Sequence, residues 1–421
     1  MRRAPQRGRQ NPRCPAPGHR APENAAASAM AMATRWLTGA KIAALKTAVL
    51  KANYALWLAA LYPLNLVLTR LRQQDFVPAS ALHVSYMVHI PWHTTRILRR
   101  HGWKADYLAV GSSPHWDKAD YYKPAGWSFG LALKEFKLFW QVMAKYEVVH
   151  FHFMITMSVT GWEIPILKRL GRTVVAHFRG CEARNRELNM RLHPDINICQ
   201  ECDYNAAICT SRINARRRRM AERWADLLLV TTPDMLDFMP QAIVFPFFAP
   251  TSLPERRRPR TDDSPLRILH VTNHPGIEGT AAIQRAVENL RARGHRVEFV
   301  YLKDVPHESV LAAMQDADLA VGKMKMGFYA NAQIESMASG IPTVTWIRPQ
   351  FMTEELRRSG FIICHLNELE RTLEYYLTHP QELEQKRRLA RESILKLHDN
   401  DALAWRLIDL YAKAKAKAKA A

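Results

Sequence analysis

Short apolar runs alternate with amphipathic stretches along most of the chain, and from residue 81 onward the alternation is regular. Residues 83–88 form an apolar run suited to a buried strand. HIPWHTTRILRRHGWKADYL then reads as a loop, a helix opening near Thr94, a stop at Gly102 and a strand over 105–110. The pattern predicts a strand over 147–153, a helix over 160–170 ended by Gly171, and a strand over 172–178 that runs into a turn at Gly180. Residues 225–231 predict a further strand, followed by a helix over PDMLDFM. PFFAPTSLPERRRPRTDDSP, dense in proline and arginine, reads as a linker, after which the pattern restarts. Strands are predicted over 267–272, 296–302, 318–321 and 342–346. Between them lie the loop HPGIEG and helices over 280–293, 308–317 and 331–339, with more helix to about Lys413. Strands alternating with helices predict parallel sheets covered on both faces. The expected fold class is α/β, with two Rossmann-like doubly wound domains, 80–246 and 266–413, joined by a linker at 247–265 and facing an interdomain cleft. The last helices are expected to cross back onto the first domain and lock the hinge.

The ends read differently. Residues 1–30 are rich in Arg and Pro without apolar periodicity and predict a disordered basic tail, with Met30 or Met32 as an alternative start. Residues 414–421 read as a second basic tail. Residues 31–75 form a hydrophobic and basic helical segment whose stretch 52–69 lacks charge, with Lys41, Lys46 and Lys51 before it and Arg70 and Arg72 after it. That stretch is at the lower length limit for a membrane span, and Asn53, Pro63 and Asn65 make it a poor one. It reads either as an interfacial helix on an anionic bilayer or as a hydrophobic helix packed on the body of the protein. No small-residue cleavage site follows it, which argues against a removed signal peptide.

A length of 421 residues implies more than one core, and 48% hydrophobic with 24% charged residues is a globular composition. A formal charge of +21 favours anionic partners: nucleic acid, anionic lipid or phosphorylated small molecules. The arginine runs at 216–219 and 256–258 read as solvated faces and linkers. RNP-like aromatics, zinc-finger spacings and basic heptads are missing from the sequence, so no specific nucleic-acid partner is expected. Six cysteines do not make a secreted disulfide scaffold, and the expected location is cytoplasmic, peripheral on the inner face of the membrane.

Candidate chemistry concentrates in GFYANAQIESMASGIPTV, residues 327–344. Small residues followed by a helix starting near Asn331 leave unpaired N–H groups and a positive dipole end, suited to a diphosphate. Glu335, about one turn in, is placed to accept hydrogen bonds from two ribose hydroxyls; the plainer alternative is a solvated helix glutamate. Gly340, Ile341 and Pro342 read as a helix stop and strand start.

With ILHVTNHPGIEGT (268–280), KRLGRTVVAHFRGCEAR (168–184) and VVHFHF before it, this stretch resembles the GT-B glycosyltransferases of the family 4 (group 1) type over about residues 82–377. The resemblance implies a nucleotide-sugar donor held by Gly327, Tyr329, Asn331 and Glu335 together with His274, Gly276 and Gly279. It implies Arg179, His177 and Glu182 as the catalytic group, a saccharide or lipid-linked acceptor, and a retaining transfer in making a surface polysaccharide or glycolipid. No cofactor and no catalytic metal are expected. The sequence departs from the family where charge matters. Gly327 stands where the first glutamate is usual, Glu278 where a lysine is usual, Arg179 where a histidine is usual, and Cys181-Glu182 in place of Ser-Asp. Either the site is rebuilt, with Arg179, His274, Lys323, Lys325 or Arg184 supplying charge to the leaving diphosphate, or the chain is a catalytically inactive module that binds nucleotide-sugar or glycan and regulates a partner.

Cys199, Cys202 and Cys209 have C-x2-C-x6-C spacing, read either as structural zinc with Cys181 or His193 as fourth ligand or as packed free thiols. His89 and His93 flank Pro91-Trp92 at the exit of the first strand, read either as an acceptor-side acid/base pair or as polar surface.

Overall fold

The computed structural model describes residues 23–113, 116–204, 212–250, 253 and 264–420, with side chains described between Lys41 and Ala418. The chain opens with a long helix, α1 (Glu23–Leu71), and enters a seven-stranded sheet. Its elements are β1 (Val77–Ser85), α2 (His89–Arg100), β2 (Lys104–Val110), β3 (Tyr121–Lys123), α3 (Leu131–Gln141), β4 (Tyr146–His152), α4 (Glu163–Arg169), β5 (Thr173–Phe178), α5 (Arg186–Leu192), α6 (Arg212–Trp224), β6 (Leu227–Val230) and β7 (Ile243–Val244). The strand order is β3-β2-β1-β4-β5-β6-β7, and the paired strands run parallel. β4 is buried at every position, as expected of a central strand covered on both faces.

The second sheet has five strands in the order β12-β11-β10-β8-β9, also parallel. It is built from β8 (Leu266–Val271), α7 (Pro275–Glu278), α8 (Thr280–Ala292), β9 (Val297–Leu302), α9 (His307–Asp316), β10 (Leu319–Val321), α10 (Asn331–Ala338), β11 (Thr343–Thr345), α11 (Glu354–Arg357) and β12 (Phe361–Ile363). Helices α12 (Leu369–Thr378), α13 (Pro380–Leu397) and α14 (Asn400–Ala420) complete the chain. Each half has its own core: Leu82, Phe139, Phe151, Ile164 and Phe178 in the first, Leu266, Ile283, Leu290, Leu319 and Val344 in the second.

The last helix returns to the first sheet. Leu403, Leu407 and Tyr411 of α14 pack with Ala81, Val148, Val175 and Leu229. Lys415 pairs with Glu147, and the Arg406 guanidinium donates to the Val244 carbonyl at 2.8 Å. The basic tail expected at 414–421 is therefore helical as far as Ala420, because alternating Ala and Lys are strong helix formers. Of the tail expected at 1–30, residues 1–22 lie outside the described residues and 23–30, rich in Ala, form the start of α1. Most of the expected linker 247–265 also lies outside them. PDMLDFM forms a 3-10 turn (Pro233–Asp237) rather than an α-helix, and HPGIEG contains the short helix α7 rather than loop alone.

Helix α1 continues through the uncharged stretch and includes Pro63. Residues Lys41–Leu71 are long and apolar enough, by length and composition, to cross a membrane. One side is docked on α3. Tyr54 packs with Leu131, Ala132 and Trp127, and its hydroxyl donates to Glu135 at 2.7 Å. Glu135 is fully buried and ion-paired to Lys123 at 3.1 Å. Asn53 accepts from the Gly130 amide at 3.0 Å and Asn65 from the Trp140 indole at 2.9 Å. The polar residues that make this a poor membrane span are the ones that fasten it to the body of the protein.

Candidate functional site

The carboxyl ends of β1, β4 and β5 and the tip of α10 meet across the gap between the two sheets. α10 begins at Asn331 behind an extended Ala330, whose amide donates to Gln333 Oε1 at 3.1 Å. The amides of Asn331 and Ala332 have no acceptor among the described residues, so the tip keeps two of its free donors. It points at the first domain: the Asn331 side-chain amide donates to His89 Nε2 at 2.9 Å. His89 is the first residue of α2, which starts earlier than the pattern predicts and carries both His89 and His93 out of the loop. Burial lowers the His89 pKa to about 4, so the ring is neutral and accepts.

Glu335 sits one turn behind the tip and is 8% exposed. It accepts from His307 Nε2 at 3.2 Å and from the Asn331 amide at 3.4 Å. The hydrogen bond to Glu335 raises the His307 pKa, and the His307 ring stacks on His89 with centroids 6.3 Å apart. His307 opens α9 and carries no motif of its own; sequence reading missed it because only the fold brings it to Glu335.

The loops around α7 and before α10 are closed over by the first domain. Residues 193–204 lie on α7 and on the loop before α10, where Ile198 and Cys199 pack with Ile277 and Met326. The Tyr204 ring lies 3.8 Å from that of His274, and Lys325 is ion-paired to Glu201. Gly276 is glycine for this closure: a Cβ there would stand 1.6 Å from the Glu201 carbonyl oxygen. Glu278, the acidic residue at a position where the resemblance implies a lysine, is paired with Lys323 and also accepts from the Lys323 backbone amide at 2.7 Å. Gly279 and Gly327 adopt φ of +84° and +82°, and a Cβ on Gly327 would meet the Arg348 side chain at 2.5 Å. Arg348 in turn bonds Asp237 of the first domain at 2.6 Å.

Several expected site residues turn inward. Tyr329 packs in the second domain's core, 4.6 Å from Phe361 between centroids, with its hydroxyl 3.0 Å from His398 Nε2; it faces away from the gap because its apolar ring is buried there. Arg184 is locked to Asp234 by two donors at 2.9 and 2.7 Å. Glu182 accepts from the amides of Arg179 and Gly180, holding the turn after β5. His177 is fully buried.

Arg179 anchors a row of imidazoles. His83 lies opposite His150, and His152 opposite His177, on one face of three adjacent strands. Arg179 Nε donates to His152 Nδ1 at 2.8 Å, so the His152 proton is on Nε2 and passes to His83 Nδ1 at 2.9 Å. His150 Nε2 donates to His177 Nδ1 at 3.2 Å, and the Tyr411 hydroxyl of α14 donates to His150 Nδ1 at 2.7 Å. His177 Nε2 then donates to Thr231 Oγ1 at 3.2 Å. Burial holds all four rings neutral, with His83 lowered to about 3, and lowers Arg179 to about 9. Ligand atoms of His83, His150 and His152 lie within 4.8 Å of one another, the spacing of a metal site. The network already uses the Nδ1 lone pair of each ring, however, and sets a guanidinium beside them, so the row is a hydrogen-bonded core rather than a chelate.

Among the cysteines, Cys181, Cys199 and Cys202 are free thiols around one small apolar pocket with Ile198 and Tyr204, and Cys209 lies outside the described residues. Cys199 Sγ accepts from Asn189 at 3.2 Å, and burial pushes the Cys181 thiol up to about 11. His193 Nε2 is bonded to Asp237 at 2.8 Å.

No family model matches the sequence, and no curated protein matches it. Solved structures do share its architecture. Sucrose-phosphate synthase from Thermosynechococcus elongatus superposes with a TM-score of 0.53 at 14% identity, over 80% of this chain and 99% of that one. HepE from Anabaena in complex with UDP-glucose gives 0.53 at 11%, over 79% and 99%. TarM gives 0.55 at 8%, over 80% and 99%. The fold is the two-domain α/β arrangement of these glycosyltransferases, GT-B, as the sequence led one to expect.

Proposed function

We propose that this protein is a glycosyltransferase that moves a sugar from a nucleotide-sugar donor to a saccharide or lipid-linked acceptor, with retention, in the making of a surface polysaccharide or glycolipid. The observation that carries the reading is the α10 tip: two unaccepted amides at the gap with a nearly buried carboxylate one turn behind. Amides and helix dipole suit the diphosphate, and Glu335 suits a ribose diol in place of its present donors, His307 and Asn331. Departure of a nucleoside diphosphate builds negative charge, so cations aimed at it lower the barrier. Lys325 is the cation best placed to exchange partners, because its ammonium is buried while Glu201, its counter-ion, is 62% exposed. His89, neutral and facing the tip, is on the acceptor side. HepE with UDP-glucose has the same architecture and supports a nucleotide-sugar ligand.

Isothermal titration with a panel of nucleoside diphosphates and nucleotide-sugars tests the site. Glu335→Ala is expected to weaken binding on the order of ten- to a hundredfold while the melting temperature changes little; unchanged binding would remove Glu335 from the site. A second reading, a binding module without turnover, is favoured by one observation: Arg179 spends its donors on His152 and His177. Donor hydrolysis measured beside binding separates the two, since turnover excludes the module.

A further inference from the structure

Helix α1 between Lys41 and Leu71 carries apolar side chains all round, yet among the described residues only one side is covered. Tyr54, Leu61, Asn65 and Thr69 face the body at helical spacing. On the outward side Leu45, Val49, Leu56, Val67 and Leu71 are exposed, Leu56 by 72% and Leu71 by 75%. A helix apolar all round normally has cover all round. A second helix carries a row of exposed cations. α6 shows Arg212, Arg216, Arg219 and Arg223, at spacings of four, three and four, together with Ile213, which is 64% exposed. The two helices are joined through Thr160: its hydroxyl is 3.3 Å from the Tyr54 hydroxyl of α1, and its carbonyl accepts from Arg216 of α6 at 2.5 Å. Arg217 of the same helix reaches the Tyr86 hydroxyl at 3.0 Å, just past the carboxyl end of β1.

We propose that the outward face of α1 and the arginine face of α6 form one docking surface for an anionic lipid bilayer, with α1 lying in the plane of the interface. The apolar stripe enters the acyl boundary while the arginines, with Lys41, Lys46 and Lys51, meet lipid phosphates. α1 does not cross the bilayer, because Asn53, Tyr54 and Asn65 hold its other side to α3 through buried hydrogen bonds. Docking in this way brings the β1 exit, and with it the His89 side of the gap, next to the lipid surface. The surface is independent of the nucleotide-sugar reading, and its test uses no nucleotide.

The full chain is tested by flotation with phosphatidylcholine vesicles and with an equal mixture of phosphatidylcholine and phosphatidylglycerol. Binding is expected to the mixture, to weaken with salt, and to be stripped by alkaline carbonate. The triple variant Leu45→Gln, Val49→Gln, Leu56→Gln is expected to lose binding and keep its melting temperature. The variant Arg212→Gln, Arg219→Gln, Arg223→Gln is expected to bind the mixture about tenfold or more weaker. Four results overturn the proposal: no vesicle binding; retention after carbonate, which means α1 spans; a dimer in light scattering that the leucine and valine changes dissociate, which means a second copy covers the stripe; or an affinity for nucleic acid that exceeds vesicle binding and depends on the arginines alone.

Discussion

His83 is the end of the proton chain that starts at Arg179, and its Nε2 is buried without a partner among the described residues. Four neutral histidines so placed link stability to pH. Their folded pKa values lie below the ordinary value near 6.5, so the unfolded chain binds more protons in acid. The stability they contribute is intact above about pH 6.5 and is lost as pH falls below it, by up to about 1.4 kcal/mol per pH unit for each ring. Thermal melts from pH 8 to 4 are therefore expected to hold flat and then fall steeply. His83→Gln keeps an acceptor for the His152 proton and cannot titrate, so the acid limb becomes shallower; an unchanged slope would show that the row does not govern it. At the same scale, Glu278 and Lys323 show two loops of one domain joined by an ion pair that neither position reveals alone.

Among the elements, α1 and α10 are short of partners in opposite ways. α10 is eight residues long and keeps its free amides because Ala330 has no side-chain acceptor to cap it. α1 is fastened by point contacts along one side. Removing the Tyr54 hydroxyl takes one partner from the fully buried Glu135 and leaves it the Lys123 ion pair, at a cost of about 1–3 kcal/mol. Tyr54→Phe is thus expected to speed amide exchange in residues 53–69 while β4 and β5 keep their protection. If protection falls everywhere, α1 is part of the first domain's cooperative unit rather than a docked appendage.

In the whole molecule the two domains are held closed by contacts that bypass any ligand: Arg348 with Asp237, Lys325 with Glu201, Tyr204 on His274, and α14 crossing back to His150. In the proposed function, closure of this kind competes with a diphosphate for Lys325. Glu201→Gln is expected to raise nucleoside diphosphate affinity by up to about fivefold in titration at low salt. A fall in affinity would mean instead that the pair holds the binding geometry. β3, β7 and β12, two or three residues each, were not read in the sequence, and β12 stands where helix was expected. The other nine strands were legible because buried parallel strands are written as local apolar runs. The α10 tip was legible for the same reason, as small residues ahead of a helix with Glu335 one turn in. Tyr329 packs in the core instead, and nothing in the local sequence says which side of a loop the core lies on. His307, Glu201 and Tyr411 were not legible at all, because each acts on a residue more than twenty positions away.

Local spacing along the chain therefore determined the two parallel sheets, the restart after a proline-rich stretch and the anion-suited helix tip, since each depends on neighbours within a few turns or strands. Only the tertiary structure decided where the charges point. It turned Arg179 into a histidine row, paired Glu278 with Lys323, closed residues 193–204 over α7 and left one face of α1 bare among the described residues. Side-chain direction and charge pairing follow from packing between distant segments, and the energy of a buried charge depends on what the fold sets beside it.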